Sequence, residues 1–125
     1  MKLYDYLMIQ FKWNGRDFDG CDCYGLIMLY YKHELGIKLR DYQHNQKHEH
    51  KIDAKYYKDN ALNDFEEVDK PRANDCVIMY NSKGERKHIG IILKNNVVMH
   101  ITRRMGTISV PLRNIKPYKF YRYRG

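Results

Sequence analysis

The hydrophobic pattern changes its period part-way along the chain, and this change constrains the fold more than any other feature. Apolar residues within 23–35 recur at the spacing of a helix. Beyond Pro71 the apolar residues instead form short extended runs at 76–80, 88–93 and 97–102. The change predicts an α+β fold, with N-terminal helices packed on a C-terminal antiparallel sheet.

The length and the turn signals refine this prediction. At 125 residues the chain is expected to form one domain, residues 1–125, with a modest core. The antiparallel sheet is expected to run from about Cys76 to Tyr123. The segment 61–65 is expected to end a short helix before Glu66.

Cys23 is placed where a reactive thiol is needed. Residues 14–20 are rich in turn formers and predict a loop, and Asp22 is a suitable N-cap. Gly36 stands where a helix would stop, so Cys23 should lie in the first turn of a helix that ends near Leu35. The positive end of a helix favours the thiolate, which is the nucleophilic form. The alternative is that Cys23 is a small buried hydrophobic residue.

Two histidines fall on strands that should be neighbours. Residues 94–96, Lys-Asn-Asn, are a hairpin signal, His88 opens the strand before it and His100 lies near the end of the strand after it. The two imidazoles can therefore approach each other. Histidine is the usual general base at neutral pH, and a second polar group can orient it. Each ring could instead satisfy a nearby backbone group, but together with Cys23 the catalytic interpretation leads.

Several motifs extend this pattern over nearly the whole chain: Trp13-Asn14-Gly15-Arg16-Asp17, Asp22-Cys23-Tyr24-Gly25-Leu26, residues 35–39, Ala73-Asn74-Asp75, His88-Ile89-Gly90-Ile91 and Val98-Met99-His100. In these motifs the chain resembles the NlpC-type cell-wall peptidases. The resemblance implies a papain-like fold and a cysteine peptidase that cuts peptidoglycan stem peptides, commonly between D-glutamate and a diamino acid. It implies Cys23 as nucleophile, His88 as base and His100 as the group that orients the base, with neither a cofactor nor a metal.

The resemblance also suggests a branch and a substrate site. Tyr24 and the run 31–37 are most similar to the family members found in bacteriophage tail tips. The residues expected to contact substrate are Trp13, Arg16, Asp22 and Tyr24. The family often has a tyrosine thought to assist the oxyanion where this chain has Phe11, and a serine where it has Tyr24. These departures keep open an alternative, a tail assembly protein with the same fold and little or no turnover.

The net charge of +8 suits an anionic partner. The C-terminal residues 115–125 alternate aromatic and basic side chains, which predicts an edge strand and a docking surface for a partner strand. The other interpretation is a platform that stacks the bases of single-stranded nucleic acid.

The remaining expectations concern location and metals. The N-terminal residues lack the features of a signal peptide, and no stretch predicts membrane insertion. We expect assembly with tail-tip proteins in the host cytoplasm and action from the virion tail at the cell wall, with the cysteines reduced. His44 and His48, near His50, could offer two metal ligands, with Cys21 or Cys76 as others, although a solvated polar segment is favoured.

Overall fold

The computed structural model describes residues 2–41 and 54–125. Its helices and strands, in chain order, are α1 (Leu3–Leu7), β1 (Arg16–Asp17), β2 (Gly20–Cys21), α2 (Cys23–Leu35), α3 (Ala54–Asn60), β3 (Phe65–Val68), β4 (Cys76–Met79), β5 (His88–Leu93), β6 (Val97–Thr102), β7 (Gly106–Pro111), a 3₁₀ turn (Leu112–Asn114) and β8 (Pro117–Tyr123).

Within residues 2–41 and 54–125, the main sheet has six antiparallel strands in the order β3-β8-β4-β5-β6-β7. Strands β4 to β7 form a meander in which each strand pairs with the next. The predicted α+β architecture and antiparallel sheet are confirmed. The sheet also contains β3, which lies before the predicted start of the sheet at Cys76: Phe65 begins β3 where the sequence predicts the end of a helix.

The prediction that the C-terminal segment forms an edge strand is wrong. β8 pairs with β3 on one side and with β4 on the other, so its backbone groups are already used. Three basic side chains of the C-terminal segment are also paired: Lys119, Arg122 and Arg124 form ion pairs with Glu67, Asp75 and Glu66, respectively. The segment is therefore an internal strand, and neither strand docking nor base stacking is supported there.

Helix α2 begins and ends where the sequence predicts. Asp22 accepts a hydrogen bond from the Gly25 backbone N–H at 2.8 Å, and Gly36 takes the left-handed conformation (φ 66°) that ends the helix. Gly25 also permits a close approach to the loop before the helix, since a Cβ there would lie 2.4 Å from the carbonyl oxygen of Gly15.

The two faces of the sheet carry separate apolar cores. The larger packs α2 and α3 on one face and includes Leu26, Ile27 and Ile91. The smaller lies on the other face around Val77 and Ile92. The first half of α2 is buried almost all round, because the β1–β2 hairpin contacts it on one side while β5 and β6 contact it on another.

Within residues 2–41 and 54–125, no helix is long and apolar enough to cross a membrane.

Candidate active site

An open cleft of about 1010 Å³ lies between the start of α2 and the ends of the central strands. Cys23 and Trp13 line it on the helical side, together with Tyr57 of α3. His88 and His100 line it on the strand side. The three residues predicted to be catalytic therefore reach one cavity from three different elements.

Cys23 is held at the first turn of α2 by the buried carboxylate of Asp22. Besides capping the helix, this carboxylate accepts a hydrogen bond from the Asn14 backbone N–H at 3.1 Å and pairs with the Arg16 guanidinium at 2.8 Å. Arg16 also pairs with Asp41 at 2.9 Å. These contacts tie the loop before the helix to its first turn and leave Cys23 half-buried at the cleft.

The β5–β6 hairpin brings the two histidines together as predicted. Asn95 and Asn96 in its turn have φ angles of 67° and 57°, a left-handed conformation that asparagine tolerates better than most residues. Register pairs Ile91 with Met99. The rings of His88 and His100 then meet edge to face, with their centroids 5.5 Å apart and an interplanar angle of 70°.

His100 is the more enclosed of the pair, with 9% of its surface exposed. Burial, assisted by the nearby charge of His88, lowers the pKa of His100 to about 4. At neutral pH the ring is therefore uncharged and offers one N–H donor and one acceptor nitrogen. A ring of this kind can orient a neighbouring imidazole without repelling its positive form.

Comparison with known proteins assigns the chain to a family. The model of the NlpC/P60 family matches residues 9–122, which is nearly the whole sequence. The chain belongs to the NlpC/P60 family.

A curated relative and several solved structures agree with this assignment. The tail tip assembly protein K of Escherichia phage N15 is 34% identical over 90 residues, which cover 63% of this chain and 34% of that protein, so the chain spans about a third of the relative's length. The NlpC/p60 domain of the peptidoglycan hydrolase SagA superposes with a TM-score of 0.61 at 19% identity, covering 95% of this chain and 91% of that one.

An NlpC/P60 family protein from Bacillus cereus ATCC 10987 has a TM-score of 0.65 at 19% identity, over 96% of this chain and 37% of that one. At such identities the likeness concerns the fold, and it confirms the papain-like architecture.

Four residues of this NlpC/P60 chain were expected to contact substrate, and only Trp13 lines the cleft. Asp22 and Arg16 form the ion pair described above. Tyr24 is fully buried and its hydroxyl donates to the carbonyl oxygen of Arg40 at 2.6 Å. The aromatic side chain that follows the cysteine thus fills the core, and direct substrate contact by Asp22, Arg16 and Tyr24 is not supported.

Tyr57 is the site residue that sequence reasoning missed. Its hydroxyl lies 2.6 Å from the sulfur of Cys23, and only 1% of the side chain is exposed. The local signal is the Tyr56-Tyr57 pair, two adjacent aromatic residues in a stretch whose polar composition predicts a solvated segment.

The other two thiols do not reach the cleft. Cys21 and Cys76 are fully buried, and burial raises the pKa of both, that of Cys21 to about 12. Each therefore stays protonated at neutral pH. Their enclosure also argues against a role as metal ligands.

No cluster of three or more metal-ligating side chains occurs within the described ranges 2–41 and 54–125. His44, His48 and His50 lie outside those ranges.

The walls of the cleft are strongly basic, a feature that the sequence analysis did not assign to the site. Among the described residues that line the cleft, none is acidic. The basic lining residues other than the histidines are Lys83, Lys87, Arg103, Arg104 and Lys116. Lys87 pairs with Glu85 at 2.9 Å, and the Arg103 guanidinium lies over the Phe11 ring, 5.0 Å from its centroid.

Proposed function

We propose that this chain is a cysteine peptidase that cleaves peptidoglycan stem peptides. The observation that carries the proposal is the meeting of Cys23, His88 and His100 in one cleft on an NlpC/P60 fold. A thiol at the start of a helix, an imidazole and a group to orient that imidazole are the parts that nucleophilic cysteine catalysis requires.

The proposed reaction proceeds in two stages. His88 takes the proton of Cys23, and the thiolate attacks the amide carbonyl while backbone N–H groups at the start of α2 stabilise the oxyanion. His88 then protonates the leaving amine as the C–N bond breaks, which leaves a thioester on Cys23. Water activated by His88 hydrolyses the thioester, and uncharged His100 holds the His88 ring throughout.

The charge of the cleft supports an anionic peptide as substrate. Stem peptides carry free carboxylates, and a cavity whose described lining contains five basic residues besides the histidines and no acidic one attracts such groups. The bond that we propose is the one between D-glutamate and the diamino acid.

The similarity to a phage protein supports a setting in the tail. We propose that the chain is assembled with tail-tip proteins in the host cytoplasm and acts from the virion tail during penetration of the cell wall. The match to part of a tail tip assembly protein supports this setting.

Digestion of purified muropeptides, followed by liquid chromatography and mass spectrometry, tests the activity. The native chain should release products with a new amino terminus on the diamino acid. A folded Cys23→Ala variant and a folded His88→Ala variant should release none. Identical traces from the native chain and Cys23→Ala would refute the peptidase.

The second candidate is an assembly protein that retains the fold without turnover. The tail assembly relative and the missing hydroxyl at Phe11 favour it. Alkylation by iodoacetamide at pH 6 separates the two functions: a catalytic Cys23 should react rapidly in the native chain and far more slowly in His88→Ala, while the fully buried Cys21 and Cys76 stay unlabelled in both. Labelling of Cys23 that does not depend on His88 would favour the assembly protein.

A further inference from the structure

The Tyr57 hydroxyl contacts the sulfur of Cys23, which is the reacting atom of the proposed site. The distance of 2.6 Å between Tyr57 Oη and Cys23 Sγ is short for a contact that involves sulfur. While Cys23 is a thiol, either atom can donate the proton. A thiolate has no proton, so in the reactive state the tyrosine hydroxyl must be the donor.

The position of this hydroxyl is fixed by the packing of α3. The carbonyl oxygen of Tyr57 accepts backbone hydrogen bonds from Ala61 and Leu62 at 2.8 and 2.9 Å. The neighbouring Lys58 ammonium donates to the carbonyl oxygens of Leu62 and Phe65 and lies over the Tyr121 ring. The end of α3 is thereby tied to the turn before β3 and to β8, so the Tyr57 ring is held against Cys23.

We infer that Tyr57 is a catalytic residue that donates a hydrogen bond to the Cys23 thiolate. Phe11 lines the same cleft without a hydroxyl, and Tyr57 brings one to it from a different element. When the new C–S bond forms, the sulfur loses its negative charge and the hydroxyl becomes available to the oxyanion beside it. The inference rests on the proposed role of Cys23 as the nucleophile.

A donor to a thiolate has two opposing effects on reactivity. A hydrogen bond to a charged group favours the thiolate over the thiol by about tenfold or more. The same bond withdraws electron density, so each thiolate attacks about threefold more slowly for every tenfold gain in its population. Loss of the donor should therefore slow the reaction at low pH and speed it at high pH.

The experiment measures the reaction of Cys23 with the neutral disulfide 4,4′-dithiodipyridine from pH 5 to pH 10, in the native chain and in Tyr57→Phe. We expect Tyr57→Phe to react about threefold more slowly at pH 6 and about threefold faster once the thiol is fully ionised. A matched control is Tyr56→Phe, which removes a hydroxyl from the same helix at a residue that does not line the cleft. Its profile should follow the native one.

A uniform rise or fall of the rate at all pH values would show a structural effect and overturn the inference, as would an unchanged profile. If Tyr57→Phe does not fold, ¹³Cζ-tyrosine spectra of the native chain and Cys23→Ala decide instead. One tyrosine resonance should shift as Cys23 ionises and should be constant in Cys23→Ala; no such resonance would refute the donor.

The disulfide reaction contains no peptide, so it is independent of muropeptide cleavage. A crossing pair of profiles with no cleavage would refute the peptidase and leave the hydrogen bond to the thiolate established. Muropeptide cleavage together with an unchanged Tyr57→Phe profile would support the peptidase and refute the hydrogen bond from Tyr57.

Discussion

The helical and strand walls of the cleft are stabilised in different ways. On the helical wall, one buried carboxylate, that of Asp22, binds the loop, the helix cap and Arg16 at once. On the strand wall, His88 and His100 are held by the register of the β5–β6 hairpin and by apolar cores on both faces of the sheet. The helical wall thus concentrates its polar contacts in one residue, whereas the position of the imidazoles is shared among many.

The largest expected effect comes from removal of the carboxylate on the helical wall. Asp22→Ala should lower the free energy of unfolding by about 4 kcal/mol, because it leaves the enclosed Arg16 with Asp41 alone and removes the cap of α2. Urea unfolding measures this loss. Asp19→Ala, at an exposed position in the same loop, should change it by less than about 0.5 kcal/mol. A loss of unfolding free energy below about 1 kcal/mol in Asp22→Ala would show that the helical wall does not depend on Asp22 in this way.

On the strand wall, the enclosure of His100 should make the free energy of unfolding depend on pH. The pKa of His100 is about 4 in the folded chain and about 6.5 in the unfolded one, so between these values the unfolded chain binds a proton that the folded chain does not. The free energy of unfolding should therefore fall by about 3 kcal/mol as the pH drops from 7.5 to 4.

Other groups titrate over the same range, so the comparison is made with His100→Gln by urea unfolding at each pH. The variant should lack this part of the decline, whatever its stability at pH 7.5. Parallel curves for the two proteins would mean that His100 is not held neutral by burial.

The smallest effect concerns the cations of the strand wall. Arg104→Ala should raise KM for muropeptides about threefold with little change in kcat, because an open, solvated charge attracts the substrate only weakly. The effect should shrink as salt is added. Lys94→Ala, in the turn at the far end of the hairpin, removes the same charge away from the cleft and should leave KM unchanged.

The same contrast explains what the sequence could predict. The bounds of α2 and the approach of the two histidines depend on local signals, namely Asp22 and Gly36 for the helix and Asn95-Asn96 for the hairpin. The prediction that β8 is an edge strand was wrong because alternation along a strand shows which side chains share a face and says nothing about the neighbouring strands. Tyr57 was missed because its contact with Cys23 spans 34 positions of sequence and no local pattern encodes it.

The interior place of β8 has a consequence for how the sheet is made. β3 and β4 both pair with β8, which lies between them in the sheet, so among the strands that the structure describes β3 has no partner until residues 117–123 are synthesised. A ribosome delivers those residues after every other strand of the sheet. Pairings so distant in sequence form slowly, and an unpaired strand invites association with other chains. We therefore expect the growing polypeptide to pass through an intermediate in which β4 to β7 have paired and β3 has not. Aggregation during biosynthesis should be most pronounced from this intermediate.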